Sequence, residues 1–378
     1  MDVFFRRDNV PVQPNTLLST RKQALQCPKG TIELAFCPAC ESITNWKAKD
    51  GPPDYGLNYE NSLHFSPSYR EYARGQAADL VERYRLQGKV IVDVGCGRGD
   101  FLAMLCDLGQ NRGFGFDPAY ANGRGNAAAG RGVTYVKEFY SEAQTSLPCD
   151  FICCRQVLEH VLRPKEFVAT LQAAALRSGA PVFFEVPNAR YTFQRGGIWD
   201  IIYEHPFYYS SQSLRRLFAS CGFRVSALRE SFGGQYLCLE AVAGNGDTVN
   251  QANEETAVGS LNDDIEKFAE RHKNEVSKAF EICDGLRRSG KRTVVWGAGS
   301  KGISFLNELK TVAPVKYTVD VNPHKWGKFV PGTGHEIVSP EFLKEYQPEC
   351  IIIMNANYRD EIRQQLEACG LRPEVRIV

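Results

Sequence analysis

The stretch Val90-Ile91-Val92-Asp93-Val94-Gly95-Cys96-Gly97-Arg98-Gly99 decides the fold. β-Branched residues run up to Asp93, glycines then alternate, and Asp100-Phe101-Leu102-Ala103-Met104-Leu105-Cys106 continues with helical character. That order reads as a buried strand, a glycine turn and a helix N-terminus. Glycine lets a ligand approach the backbone where a Cβ would block it. The spacing is GxGxG, whereas a dinucleotide loop is GxGxxG and seats a pyrophosphate over the helix N-terminus. Asp93, two places before the first glycine, also argues against a pyrophosphate at this turn.

Working outward, 378 residues suffice for two domains and a smaller third segment. Lys+Arg 45 against Asp+Glu 44 leaves a formal charge of +1, which disfavours nucleic acid or an anionic membrane as partner. No apolar run reaches membrane-spanning length. Met1-Asp-Val-Phe-Phe-Arg-Arg-Asp8 has no secretory apolar region, and 13 cysteines are scattered through strands and helices. Reduced thiols and a cytoplasmic location are the expectation.

Residues 1–60 read as irregular, rich in Pro, Asn and Gly. A helix is predicted over 66–87, with Ser66 as N-cap and Pro67 in its first turn. From 90 to 243, strands at 90–94, 113–117, 133–137, 150–154 and 181–185 alternate with helices, which implies an α/β fold with a parallel sheet. Strands at 223–228 and 235–242, close about Gly233-Gly234, predict an antiparallel pair at one edge. Residues 244–262 read as a linker and 260–289 as a charged helix. A second α/β unit then follows, with strands near 293–296, 315–319, 350–354 and 375–378. The expected division is a lobe over 1–65, a central domain over 66–245 and a Rossmann-like domain over 246–378.

The glycine loop, followed by a strand ending in Asp117, resembles the first motifs of class I S-adenosylmethionine (SAM) dependent methyltransferases. In an open parallel sheet the ligand lies beyond the carboxyl ends of the strands. Asp93, Gly95, Gly97, Asp117, Gln156 and Ser66 are therefore the expected SAM contacts, with residues 137–139 bordering the adenine. His160, in Glu-His-Val before Pro164, is read as structural.

Glu185-Val-Pro-Asn188, Tyr203-Glu204-His205-x-x-Tyr208-Tyr209-Ser210, Ser213-Leu-x-x-Leu-Phe218 and Gly222-Phe-x-Val225 narrow the resemblance. Together they look like the SAM-dependent C-methyltransferases acting on nucleotide-linked keto-sugars. That family joins a cysteine-bearing N-terminal segment, a methyltransferase domain and a Rossmann-like C-terminal domain. The resemblance implies His205 as general base, Glu204 orienting its ring, and Tyr203, Tyr208, Tyr209 and Asn188 as candidates for stabilising an enolate oxygen. Tyr236 and Gln235 stand where those sugar enzymes carry other residues, which points to a different acceptor. The family also carries a four-cysteine zinc site. Here only Cys37-x-x-Cys40 follows that pattern, with Cys27 ten residues upstream, so the ligand set is incomplete and no metal ligand is assigned.

Gly297-Ala-Gly299-Ser-Lys301-Gly302, with Asp320 further on, is a true GxGxxG and on its own proposes NAD. Too little chain follows for a complete dinucleotide fold. Lys301 favours an anion, and substrate contact is the preferred expectation. Carbon methylation of a ketone-activated small molecule leads the functional readings. O- or N-methylation of a natural-product intermediate and a catalytically silent SAM-binding partner are the alternatives.

Overall fold

The computed structural model describes residues 1–48, 58–120, 132–244 and 261–378, so the segment read as a linker lies almost wholly outside the described residues. Among the described residues three sheets organise the fold. The N-terminal sheet contains β1 (Asp2–Pro11), β2 (Lys29–Cys37) and β3 (Ser42–Asn45). The central sheet contains β4 (Val90–Val94), β5 (Arg112–Phe116), β6 (Val133–Val136), β7 (Phe151–Arg155) and β8 (Val182–Pro187). A two-residue strand, β9 (Phe207–Tyr208), leaves the central part of the chain and pairs antiparallel with β3. β10 (Phe223–Ser231) and β11 (Tyr236–Ala243) then complete the central sheet in the order β10-β11-β8-β7-β4-β5-β6.

The five strands from β8 to β6 are parallel, and β10 and β11 form the antiparallel edge that the sequence predicts. Ile91 and Val92 are fully buried on opposite faces because helices cover both sides, which is why β4 reads as a continuous apolar run. The helix Pro67–Arg83 covers one face, capped by Ser66, whose hydroxyl accepts from the Tyr69 N–H at 3.2 Å. It ends short of the predicted residue 87.

The C-terminal sheet is all parallel, in the order β14 (Glu336–Val338), β13 (Val315–Val319), β12 (Thr293–Trp296), β15 (Cys350–Ile353) and β16 (Glu374–Ile377). The charged helix near 260–289 divides into Leu261–Glu266 and Phe268–Arg288.

The reading of residues 1–60 as irregular is corrected by β1 to β3. β1 carries Arg6, Arg7 and Asp8 in an unsteady alternation, with bulges on either side of Phe5-Arg6-Arg7, so its period of two is hidden. The consequence for the site is direct. The Asn45 N–H donates to the Pro206 carbonyl at 2.9 Å and Thr44 Oγ1 does so at 3.1 Å, so the N-terminal sheet holds the segment carrying Glu204 and His205.

Candidate active site

The carboxyl ends of the central and C-terminal sheets face one cavity of about 810 Å³. Both glycine loops open into it. Gly95, Gly97, Asp93 and Asp117 line one side, and Gly297, Gly299, Lys301 and Asp320 line the other.

Local geometry explains the first loop. Gly95 has φ +73°, and a Cβ there would lie 2.2 Å from Val157 Cγ2. Gly97 has φ +57° and only open space where a Cβ would go, so its backbone is presented to the cavity. Asp117 Oδ2 accepts from the Gly97 N–H at 2.9 Å and Oδ1 from the Ala119 N–H at 2.7 Å. These bonds aim the carboxylate at the loop and leave further acceptor capacity toward the cavity. Phe139 and Tyr140 line the same end. Burial pushes the Asp93 carboxyl up to about 6. Gln156 adopts a left-handed φ of +56°, fixed by its N–H to the Glu185 carbonyl at 2.8 Å and its side chain to Glu185 Oε1 at 3.1 Å. Ser66 also reaches the cavity, but its hydroxyl donates to Glu361 Oε2 at 2.5 Å and caps its helix.

His205 lines the cavity as well. Its ring packs edge-on against His160, centroids 4.8 Å apart, and burial together with His160 and Lys301 holds its pKa well below the ordinary value. Glu159 is 2% exposed beside them, and burial pushes its carboxyl up to about 8. His160 Nδ1 lies 3.0 Å from the Glu204 carbonyl oxygen, and its pKa falls to about 4 through burial. One donor atom from each of Glu159, His160 and His205 lies within 4.8 Å of the others. Reading His160 as structural missed this grouping, whose only signal in the sequence is the Glu-His dipeptide repeated at 159–160 and 204–205.

Several expected site residues are occupied elsewhere. Burial pushes Glu204 up to about 8, and both of its carboxylate oxygens are buried without a hydrogen-bond partner among the described residues, so it does not orient the His205 ring. Tyr203 donates to the Lys47 carbonyl at 3.1 Å, and the Tyr208 hydroxyl is held between the Ile202 N–H and carbonyl. Tyr209 points to the Leu158 carbonyl, and Asn188 donates to Glu230 and to the Gly234 carbonyl. All four are buried by packing, and none lines the cavity. Tyr236 and Gln235 do line it, Gln235 accepting from Asn355 at 2.9 Å.

In the second loop Lys301 pairs with Asp200, so its charge is not free for an anion. Asp320 accepts from the Ala298 N–H at 2.9 Å, the Asn322 N–H at 2.8 Å and the Lys325 ammonium at 3.2 Å, an arrangement that occupies the carboxylate a ribose would need. Cys37 and Cys40 share the turn between β2 and β3, and backbone N–H groups of that turn hold the Cys37 thiol below its usual value. Cys27 lies instead against Gly332, so these three thiols do not assemble a zinc set.

Residues 69–228 match the family model of a methyltransferase domain, and residues 241–372 match that of a C-methyltransferase C-terminal domain. The C-methyltransferase NovU of Streptomyces niveus is 28% identical over 298 residues, spanning 75% of this chain and 70% of that protein. The chain is a SAM-dependent methyltransferase whose two matched parts are similar to those of C-methyltransferases. Its central part also resembles two solved structures holding S-adenosylhomocysteine. Magnesium protoporphyrin IX methyltransferase of Synechocystis PCC 6803 is 20% identical over 47% of this chain and 84% of that one, with a TM-score of 0.36. The 1,6-didemethyltoxoflavin-N1-methyltransferase of Burkholderia thailandensis is 17% identical over 47% and 82%, also at 0.36. What fits SAM is the open backbone at Gly97 beside Asp117 and the aromatic residues Phe139 and Tyr140. Among the described residues no helix is long and apolar enough to cross a membrane.

Proposed function

We propose that this C-methyltransferase methylates a carbon next to a carbonyl group in a small, nucleotide-linked acceptor, with His205 as the general base. The observation that carries the proposal is the position of His205 in the wall of a cavity shared by the two glycine loops. In this reading the first loop, with Asp93 and Gln156, holds the amino-acid end of SAM, and Asp117 accepts from its ribose. SAM supplies an electrophilic methyl group when bound.

The residues of the chain perform the other half. Burial keeps the His205 ring neutral, the form that accepts a proton. Removing a proton from the carbon beside a carbonyl makes that carbon nucleophilic, and the cavity holds it in place, which supplies the proximity the transfer needs. With Tyr203, Tyr208, Tyr209 and Asn188 committed elsewhere, Tyr236, which lines the cavity wall, offers the acceptor a hydroxyl in their place. The second loop supports a nucleotide-linked acceptor through its exposed backbone at Gly297 and Gly299, where no side-chain atom would meet a Cβ, rather than through Lys301.

His205→Ala should lower turnover by roughly 10²–10⁴ while leaving SAM affinity unchanged. The test combines calorimetric SAM binding with labelled-SAM transfer to nucleotide-linked and free ketones, products being read by mass spectrometry. Wild-type turnover in the variant would remove His205 from the reaction. Transfer to free ketones as fast as to nucleotide-linked ones would remove the nucleotide.

A further inference from the structure

We propose that Glu159, His160 and His205 form a binding site for a divalent transition-metal ion, and that an ion bound there withdraws His205 from proton transfer.

Four observations meet at this point. One donor atom from each residue lies within 4.8 Å of the other two. Tetrahedral ligation with bonds near 2.0–2.1 Å places donor atoms roughly 3.4 Å apart, so side-chain shifts of about an ångström close the set. Second, the Glu204 carbonyl can only accept, so His160 Nδ1 donates in that contact and fixes the ring. Metal-ligating histidines are held in this way, the second ring nitrogen donating to a carbonyl or carboxylate. Third, Glu159 Oε2 and His205 Nδ1 are buried with no hydrogen-bond partner among the described residues. A carboxylate buried without a partner takes up a proton or a cation. Fourth, all three side chains line the open cavity, which supplies both an entry path and a remaining coordination position.

The donor set selects the ion. Two imidazoles and one carboxylate suit zinc, cobalt, nickel or iron, whereas magnesium and calcium prefer oxygen ligands throughout. A lone pair donated to a metal cannot take a proton from carbon, so metal occupancy and base function exclude each other. That second half rests on the proposed role of His205, and the first half does not.

The experiment titrates cobalt(II) chloride into chelator-treated full-length protein carrying Cys37→Ser and Cys40→Ser, which removes the thiol pair as competing ligands. Expected is visible d–d absorption saturating at one equivalent, lost in His160→Ala and in the closer isostere His160→Gln. Glu159→Gln should weaken binding about tenfold or more. Calorimetric SAM binding in each variant verifies that the domain is folded. Absorption that never reaches one equivalent, or that survives both His160 variants, overturns the site. Methyl transfer should fall in proportion to bound cobalt and return on adding chelator; full activity in the loaded protein overturns the exclusion. The effect of His205→Ala, measured in metal-free protein, tests the base separately.

Discussion

Asp93 sits where a parallel strand covered on both faces leaves a carboxylate almost no water. Burial raises its pKa from 3.8 to about 6; a hydrogen bond from Cys153 and the charge of Arg155 pull the other way, and Asp117 adds to the rise. The unfolded chain gives up this proton near 3.8 and the folded chain near 6, so between those values the folded state binds more protons. Stability from this group is therefore intact below about pH 4 and declines as pH rises toward about 6, beyond which it is flat. Asp93→Asn should remove that part of the slope. Melting temperatures of both proteins across the window check it; parallel curves would mean that Asp93 is better solvated than its burial implies. The residue was legible in the sequence because a local motif fixes its place. His160 was not, because its ring meets His205 only through the packing of two distant loops.

Among elements, β2 has a specific duty toward the site. A Cβ on Gly30 would lie 2.4 Å from Tyr203 Cε2, so this glycine seats the tyrosine two residues before His205. Gly30→Val should displace the ring and shift the loop that β3 and β9 hold. A misplacement near an ångström can cost up to about 10²-fold, so kcat should drop roughly 10–100-fold with SAM affinity little changed. Steady-state kinetics beside calorimetry read both; an unchanged kcat would free the loop from the N-terminal sheet. Strands β4, β7 and β8 were legible because burial on both faces makes them apolar runs. β1 was hidden by charges on a half-exposed, bulged strand, and β9 and β14 by having two and three residues. The tyrosines around His205 have the right chemistry in sequence, but folding spends their hydroxyls on nearby carbonyls.

Across the whole molecule, Glu60 joins three parts. Its side chain is 0% exposed, pairs with Arg98 of the first glycine loop and accepts from Asn322 Nδ2 of the C-terminal part at 2.9 Å. Glu60→Ala would remove the buried carboxylate that pairs with Arg98, 14% exposed, and should cost about 3–5 kcal/mol of unfolding free energy. Denaturant melts measure it; a loss under about 1 kcal/mol would show the guanidinium relaxing into water. The order of the three parts could be read from sequence. That the two glycine loops share one cavity could not, since it depends on these long-range ties. The pairing of β3 with β9 also sets a schedule for synthesis. Thr44 waits for Pro206, 162 residues later. At about 5–20 residues per second that is roughly 8–30 s on the ribosome. For that interval the first strands exist with one edge unpaired, and His205 acquires its setting only when the middle of the chain returns to close it.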